Sequence, residues 1–255
     1  MSTLADDLAA SLDPVVFAAR VGFVAEQWQE DLLRSVERRQ IVACARQVGK
    51  THTTAIKAVH RAVYSPDSLV LVVSPTQRQS NEMLTRCRQV FRQAGSPLKL
   101  VKDNDGELAF ENSSRIVSLP GTDATTRGYS SAALIVVDEG AYLETDVFHG
   151  VLPMVGSDGQ LIALSTPAGQ SGWFHSLFTT VGNGWQRHRI TVHESGQWGE
   201  RRIAETRALL GSVKFAAECE ASFQDTDSQL FSSQSIRAAS TSAVAPLFTG
   251  GSSDV

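Results

Sequence analysis

The chain has 255 residues, 42% hydrophobic and 20% charged, a size and texture that fit one large globular domain or one domain with a small appendage. Its formal net charge of −4 excludes a protein that coats nucleic acid by bulk charge, but leaves room for a local basic track. Cys44, Cys87 and Cys219 are widely separated and odd in number, which points to a reducing compartment without a disulfide framework. The opening MSTLADDLAASLDP lacks the basic start of a signal peptide, and no apolar run approaches the roughly 20 residues of a membrane span. The expectation is a soluble, cytoplasmic chain.

Five short runs rich in β-branched residues punctuate the first two-thirds, at 41–45, 69–74, 115–119, 134–138 and 161–165. Several are apolar at consecutive positions, as strands buried on both faces of a parallel sheet require. Between the first two runs, residues 51–64 place Ala55, Ile56, Val59, Ala62 and Val63 on one helical face. Residues 79–93 repeat the pattern with Met83, Leu84, Cys87, Val90 and Phe91. Strand–helix–strand alternation of this kind reads as a doubly wound α/β fold with a mainly parallel central sheet flanked by helices. Asp105-Gly106 and Asn112-Ser113-Ser114 are turn signals, so an antiparallel insertion is expected over 98–119. After Pro167, Gly169, Gly172, Gly182 and Gly184 mark loops. A strand at 188–193 and helices at 200–210 and 213–222 follow, then a Ser/Ala/Thr/Gly-rich stretch, 232–255, expected to be poorly ordered.

Cys44-Ala45-Arg46-Gln47-Val48-Gly49-Lys50-Thr51 follows an apolar strand and opens an amphipathic helix. That context suits a phosphate-binding loop: backbone N–H groups cradle phosphates, Lys50 reaches the β and γ oxygens, and the Thr51 hydroxyl ligates Mg²⁺. Cys44 stands where such loops usually carry their first glycine. Arg46 either supplies charge to a γ-phosphate or forms a salt bridge that shapes the loop. The run 134–138 ends in Asp138-Glu139, at the sheet edge where open α/β sheets bind ligands. There Asp138 would hold Mg²⁺, and Glu139 would orient and deprotonate a water. Ser165-Thr166-Pro167 closes the next strand, with hydroxyls that would sense the γ-phosphate or simply cap a turn.

Taken in order, Arg46-Gln47-Val48-Gly49-Lys50-Thr51, Val73-Ser74-Pro75-Thr76, Val137-Asp138-Glu139-Gly140-Ala141 and Ser165-Thr166-Pro167 resemble the ATPase domain of the large terminase subunit. That family comprises the DNA-packaging motors of tailed phages and herpesviruses, and the resemblance covers about residues 20 to 231. It implies a P-loop NTPase of the additional-strand, catalytic-glutamate type, with a core over 1–180, a small C-terminal lid over 181–231 and a flexible tail over 232–255. It further implies ATP and Mg²⁺ as cofactors and hydrolysis that drives double-stranded viral DNA into a procapsid. A helicase-like DNA-dependent ATPase and a nucleotide-binding assembly protein with little turnover are the alternatives. The family's second, nuclease domain would begin where this chain stops.

Residue by residue, the resemblance makes Gln29 of Trp28-Gln29 the adenine reader and Gln47, Val48, Gly49, Lys50 and Thr51 the phosphate loop. It adds Asp138, Ser165 and Thr166 to the nucleotide site and makes Arg127 of Arg127-Gly128 an arginine finger acting in a neighbouring subunit. A loop arginine paired with Asp123 is the alternative for Arg127. The partners implied are double-stranded DNA gripped without sequence preference, a portal protein, a small terminase subunit and further copies in a ring, inside an infected or lysogenic bacterium. The densest basic segment, Arg78, Arg86, Arg88, Arg92, Lys99 and Lys102, is either a track for the DNA backbone or the solvated face of a helix. The scattered histidines lack metal-ligand spacing, and Trp173, Trp185 and Trp198 read as packing residues.

Overall fold

The computed structural model describes residues 4–121 and 128–224, with Ala239 alone beyond them. Residues up to Gln224 form one compact unit; a second begins at Asp225.

The described chain opens with three short helices, α1 (Leu4–Leu12), α2 (Pro14–Arg20) and α3 (Gln27–Arg34). The Asp13 side chain caps α2 by accepting the Val15 N–H at 2.8 Å, with Pro14 pre-set for the first turn. Next come β1 (Arg39–Cys44), α4 (Lys50–Tyr64), β2 (Leu69–Ser74) and α5 (Gln77–Gln93). The positions read as helical faces, Ala55 to Val63 and Met83 to Phe91, are the buried ones. Three strands then form the insertion: β3 (Leu100–Asp103), β4 (Glu107–Phe110) and β5 (Arg115–Pro120). The chain continues through β6 (Ala132–Asp138), α6 (Thr145–Val151), β7 (Val155–Ser165), α7 (Gly172–Thr179), β8 (Gln186–Ile190) and α8 (Glu200–Cys219).

All eight strands join one sheet in the order β3-β4-β5-β2-β6-β7-β1-β8. From β5 to β8 every neighbour is parallel, and only the β3–β4 and β4–β5 pairs are antiparallel. β7 stands between β1 and β6, so the strand that leads to α4 and the strand that ends in Asp138 are separated by one intervening strand. This arrangement gives the expected mixed, mainly parallel sheet. One face buries α4 and α5 with Phe17, Trp28, Leu32 and Leu33 of the N-terminal helices; the other buries Val147 and Phe148 of α6 and Trp173 and Phe174 of α7.

The structure differs from the sequence reading in three places. Residues 169–184, read as loop, include the two-turn helix α7, which Trp173 and Phe174 anchor by burial despite its glycine start. α6 is also two turns long, too short for its periodicity to declare itself. The strand expected over 188–193 begins and ends earlier, because Thr191 and Glu194 close a capping box around a 3-10 turn. The two helices expected at the end, 200–210 and 213–222, do lie on either side of Gly211, whose φ of +71° breaks the helical path within α8. Tail residues 232–255 lie outside the described residues except Ala239.

Lys57 ties the N-terminal helices to α4. Its ammonium, buried within the core face, donates to the carbonyls of Leu32, Leu33 and Ser35 at 2.8, 3.1 and 2.8 Å, closing the C-terminal end of α3. Burial and then the nearby Arg61 charge pull its pKa down to about 7, whereas three carbonyl acceptors are a site for an ammonium. Lys57→Met keeps the aliphatic stem and leaves those carbonyls without their donor. Urea denaturation is expected to show a loss of about 1–3 kcal/mol at pH 7, and an unchanged midpoint would refute the capping role.

Candidate active site

β1 ends at Cys44, and the chain turns through Ala45–Gly49 before α4 begins at Lys50. Two residues of the turn have left-handed backbones, Gln47 (φ 57°) and Gly49 (φ 90°). At Gly49 a Cβ would stand 2.8 Å from the Gln29 side-chain nitrogen, so both the conformation and the space require glycine. The Gln29 amide is buried and committed within the chain: its nitrogen donates to the Val48 carbonyl at 3.1 Å, and its oxygen accepts the Glu26 N–H at 2.9 Å. Gln29 thus braces the turn from behind. Cys44, in place of the usual glycine, is fully buried, with its Sγ 3.6 Å from the Ser165 carbonyl oxygen; burial pushes its thiol up to about 12.

The two acids at the end of β6 reach the same turn. Lys50 donates to Glu139 at 2.5 Å, and the Ser165 hydroxyl faces the other Glu139 oxygen at 3.4 Å. Glu139 itself has a left-handed backbone (φ 54°, ψ 41°), strain of the kind that persists where surrounding structure enforces a functional geometry. The next residue is closely packed, because a Cβ on Gly140 would meet the Trp173 ring at 3.0 Å. Trp173 also donates its indole N–H to the Leu143 carbonyl at 2.9 Å. Asp138 is buried, bonded to the Thr51 hydroxyl and to the Glu139 N–H. Burial pushes its carboxyl up to about 6 even though Lys50 pulls the other way.

Arg46, Gln47, Lys50, Gln79, Glu139 and Tyr142 enclose a cleft of about 440 Å³. Gln79 and Tyr142 are the residues that sequence reading missed; each lies in a helix or turn whose side chains look ordinary until the fold brings them to the cleft. Arg46 is held by an ion pair to Glu218 of α8 and by the Tyr142 hydroxyl. Gln47 accepts from Arg202, also of α8, whose guanidinium lies 3.9 Å above the Trp198 ring. A second link runs through Glu26: one oxygen accepts the Gly196 N–H at 2.8 Å and the other the Trp28 indole N–H at 3.0 Å. Thr166 is buried at the end of β7 beside Ser165. Arg127 and Asp123 lie outside the described residues.

The basic segment is less uniform than its composition suggests. Arg88 pairs with Asp103 at 2.6 Å, and Lys102 with Glu107 at 2.5 Å.

Comparison with known proteins places this geometry. A family model described as terminase large subunit, T4likevirus-type, N-terminal, matches residues 41–238. The chain belongs to this terminase large-subunit family. The large terminase subunits of Thermus phage G20c and Thermus virus P23-45 are each 25% identical to it, over 85% of this chain and 52% of the relative. The chain therefore spans about half the length of the curated terminases it matches. In fold it is similar to the ATPase domain of the Thermus phage P74-26 large terminase, with a TM-score of 0.70 at 20% identity over 81% of this chain and 97% of that one. The large terminase of bacteriophage D6E, solved in complex with ADP, superposes with a TM-score of 0.63 at 13% identity over 78% of this chain and 54% of that one.

The terminase-type turn also fits the groups it would hold. Thr51 and Asp138 offer hard oxygen donors, the kind Mg²⁺ takes together with phosphate oxygens. Among the described residues no cluster of three or more acids, histidines or cysteines forms a protein-only metal cage. Gly49→Ala would force its Cβ into Gln29 and strain φ. Thermal melting is expected to fall by several degrees, and a fluorescent nucleotide analogue to bind at least about 10-fold more weakly. Unchanged melting and binding would show that the turn does not need this glycine.

Proposed function

We propose that this chain is an ATP-hydrolysing motor domain whose turnover drives double-stranded DNA into a procapsid. The observation that supports it most is the convergence of Lys50 and Thr51 with Asp138 and Glu139 at one edge of the sheet, although they are far apart in sequence. The turn before α4 and the first N–H groups of that helix bind the phosphates, and Lys50 neutralises them. Thr51 and Asp138 hold Mg²⁺, which supplies charge compensation to the β and γ oxygens when bound. Glu139 orients the attacking water and takes its proton, and Ser165 holds the second Glu139 oxygen. Lys50 and Glu139 satisfy each other at 2.5 Å, so phosphate binding must draw Lys50 away before Glu139 can act.

Gln29 carries the adenine end of the site, both by direct contact and by fixing Val48. Thr166 reports the γ-phosphate to the strand-to-loop turn after β7. Arg46 compensates charge at the γ-phosphate once released from Glu218, and Arg127 completes the site of a neighbouring copy. Double-stranded DNA, a portal protein and a small terminase subunit are the partners of that assembly, in the cytoplasm of a phage-infected or lysogenic bacterium.

Phosphate release measured with and without duplex DNA, across protein concentration, tests the reading. Lys50→Ala and Glu139→Gln are each expected to lower turnover by at least about 100-fold. Arg127→Ala is expected to remove the rise in rate per chain with concentration. Wild-type turnover in Glu139→Gln would overturn the proposed mechanism.

A further inference from the structure

In the sheet Glu139 follows a strand with a neighbour on each side. Beyond β7 lies β1, whose turn leads to Lys50; on the other side β2 runs directly against β6 and leads through 75–76 into α5. These strands are all parallel, so both turns open at the same edge, on the cleft that Lys50, Glu139 and Gln79 line together. Gln79 belongs to the first turn of α5, which is fixed from within. The Thr76 hydroxyl accepts the Gln79 backbone N–H at 3.3 Å and donates to the Gln79 side-chain oxygen at 2.8 Å. The buried Ser80 hydroxyl donates to the Leu119 carbonyl at 2.9 Å and so holds the turn to β5. Arg46, Lys50 and Tyr142 of the cleft are already engaged, with Glu218, Glu139 and Arg46 respectively. The Gln79 amide nitrogen, by contrast, donates to no described residue while its oxygen is held in place. It brings two unspent N–H groups to the cleft from a fixed support.

We propose that Gln79 is a further catalytic residue, whose amide nitrogen donates to a non-bridging oxygen of the γ-phosphoryl group. The inference rests on the ATPase reading, in which the turn before α4 holds the phosphates. In-line displacement brings the water to the γ-phosphorus from the side remote from the bridging oxygen. With the phosphates held at the β1 turn, that remote side faces β6 and β2, where Glu139 and Gln79 stand. Glu139 accepts the proton of the water, but a carboxylate cannot stabilise the negative oxygens beside it. A neutral donor fixed in the same cleft meets that need, and does so without gaining or losing a proton. The contact is absent with ADP, which has no γ-phosphoryl group. Gln79 therefore distinguishes ATP from ADP as well as favouring the reaction.

Gln79→Glu separates this role from helix capping. Its carboxylate can still accept the Thr76 hydroxyl and suits the first turn of a helix, so α5 keeps its cap and the thermal melt should stay near wild type. A residue that served only the cap would be replaced well by glutamate; a donor to the γ-phosphoryl group would be replaced worst by it. The test combines phosphate release by the full chain with calorimetric titration of ADP and of a non-hydrolysable ATP analogue, all with Mg²⁺. Gln79→Ala is expected to lower kcat by roughly 100-fold and Gln79→Glu by more. Both should bind the analogue at least about 5-fold more weakly, with ADP affinity held within about 2-fold of wild type. Wild-type turnover and analogue affinity in Gln79→Glu, or equal losses for ADP and the analogue, would overturn the proposal. A wild-type chain that binds both nucleotides but releases no phosphate would instead contradict the ATPase reading. The analogue-to-ADP ratio would still decide whether Gln79 meets the γ-phosphoryl group.

Discussion

Lys50 and Glu139 meet at 2.5 Å across the carboxyl edge of the sheet, and the fold is arranged around that meeting. The lysine comes from the first residue of α4 and the glutamate from the turn after β6, two strands away from β1 in the sheet. β7 fills the interval and delivers Ser165 to the far side of the same carboxylate. A parallel sheet makes this possible because β1, β6 and β7 all end at one edge, each releasing its chain into the cleft. A slip of one residue in any of the three registers would turn these ends toward the opposite face. Burial of β1, β6 and β7 on both faces therefore secures the geometry of the site as well as the stability of the core.

The contacts that surround the pair also link the site to α8. Arg46 and Gln47, adjacent in the turn before α4, are held by Glu218 and Arg202 from opposite ends of α8. Glu26 joins the loop's brace, Gln29, to the turn at Ser195 and Gly196 that leads into α8. A change at the loop has two routes to the C-terminal helix, one through charged side chains and one through the backbone of the 26–29 turn. Gly211 divides α8 between its two attachment points, where a backbone of left-handed φ gives the helix a natural break.

Much of this was legible in the sequence. The five buried strands, α4 and α5 follow from apolar runs and helical periodicity. That Gly49, Lys50, Thr51, Asp138 and Glu139 would meet follows from a polar turn between a strand and a helix and from two acids at a strand end of the same sheet. What sequence could not supply was proximity between distant, ordinary residues. Nothing about Glu218 marks it as the partner of Arg46, and Tyr142 and Gln79 belong to no motif. α6 and α7 were hidden because two turns are too few for a periodic signal, and because α7 begins at a glycine in a glycine-rich stretch. Nor does any spacing announce the two amide contacts of Gln29, to Val48 and to Glu26.

The central claim is that one ion pair holds the lysine and the glutamate in reserve until phosphates arrive. Calorimetric titration of ATP into wild type and Glu139→Gln under identical Mg²⁺ tests it most directly. Neutralising the carboxylate frees Lys50 and removes a like charge from beside the γ-phosphate, so the variant is expected to bind ATP several-fold more tightly than wild type. The gain for ADP should be smaller. Equal or weaker ATP binding by Glu139→Gln would contradict the account.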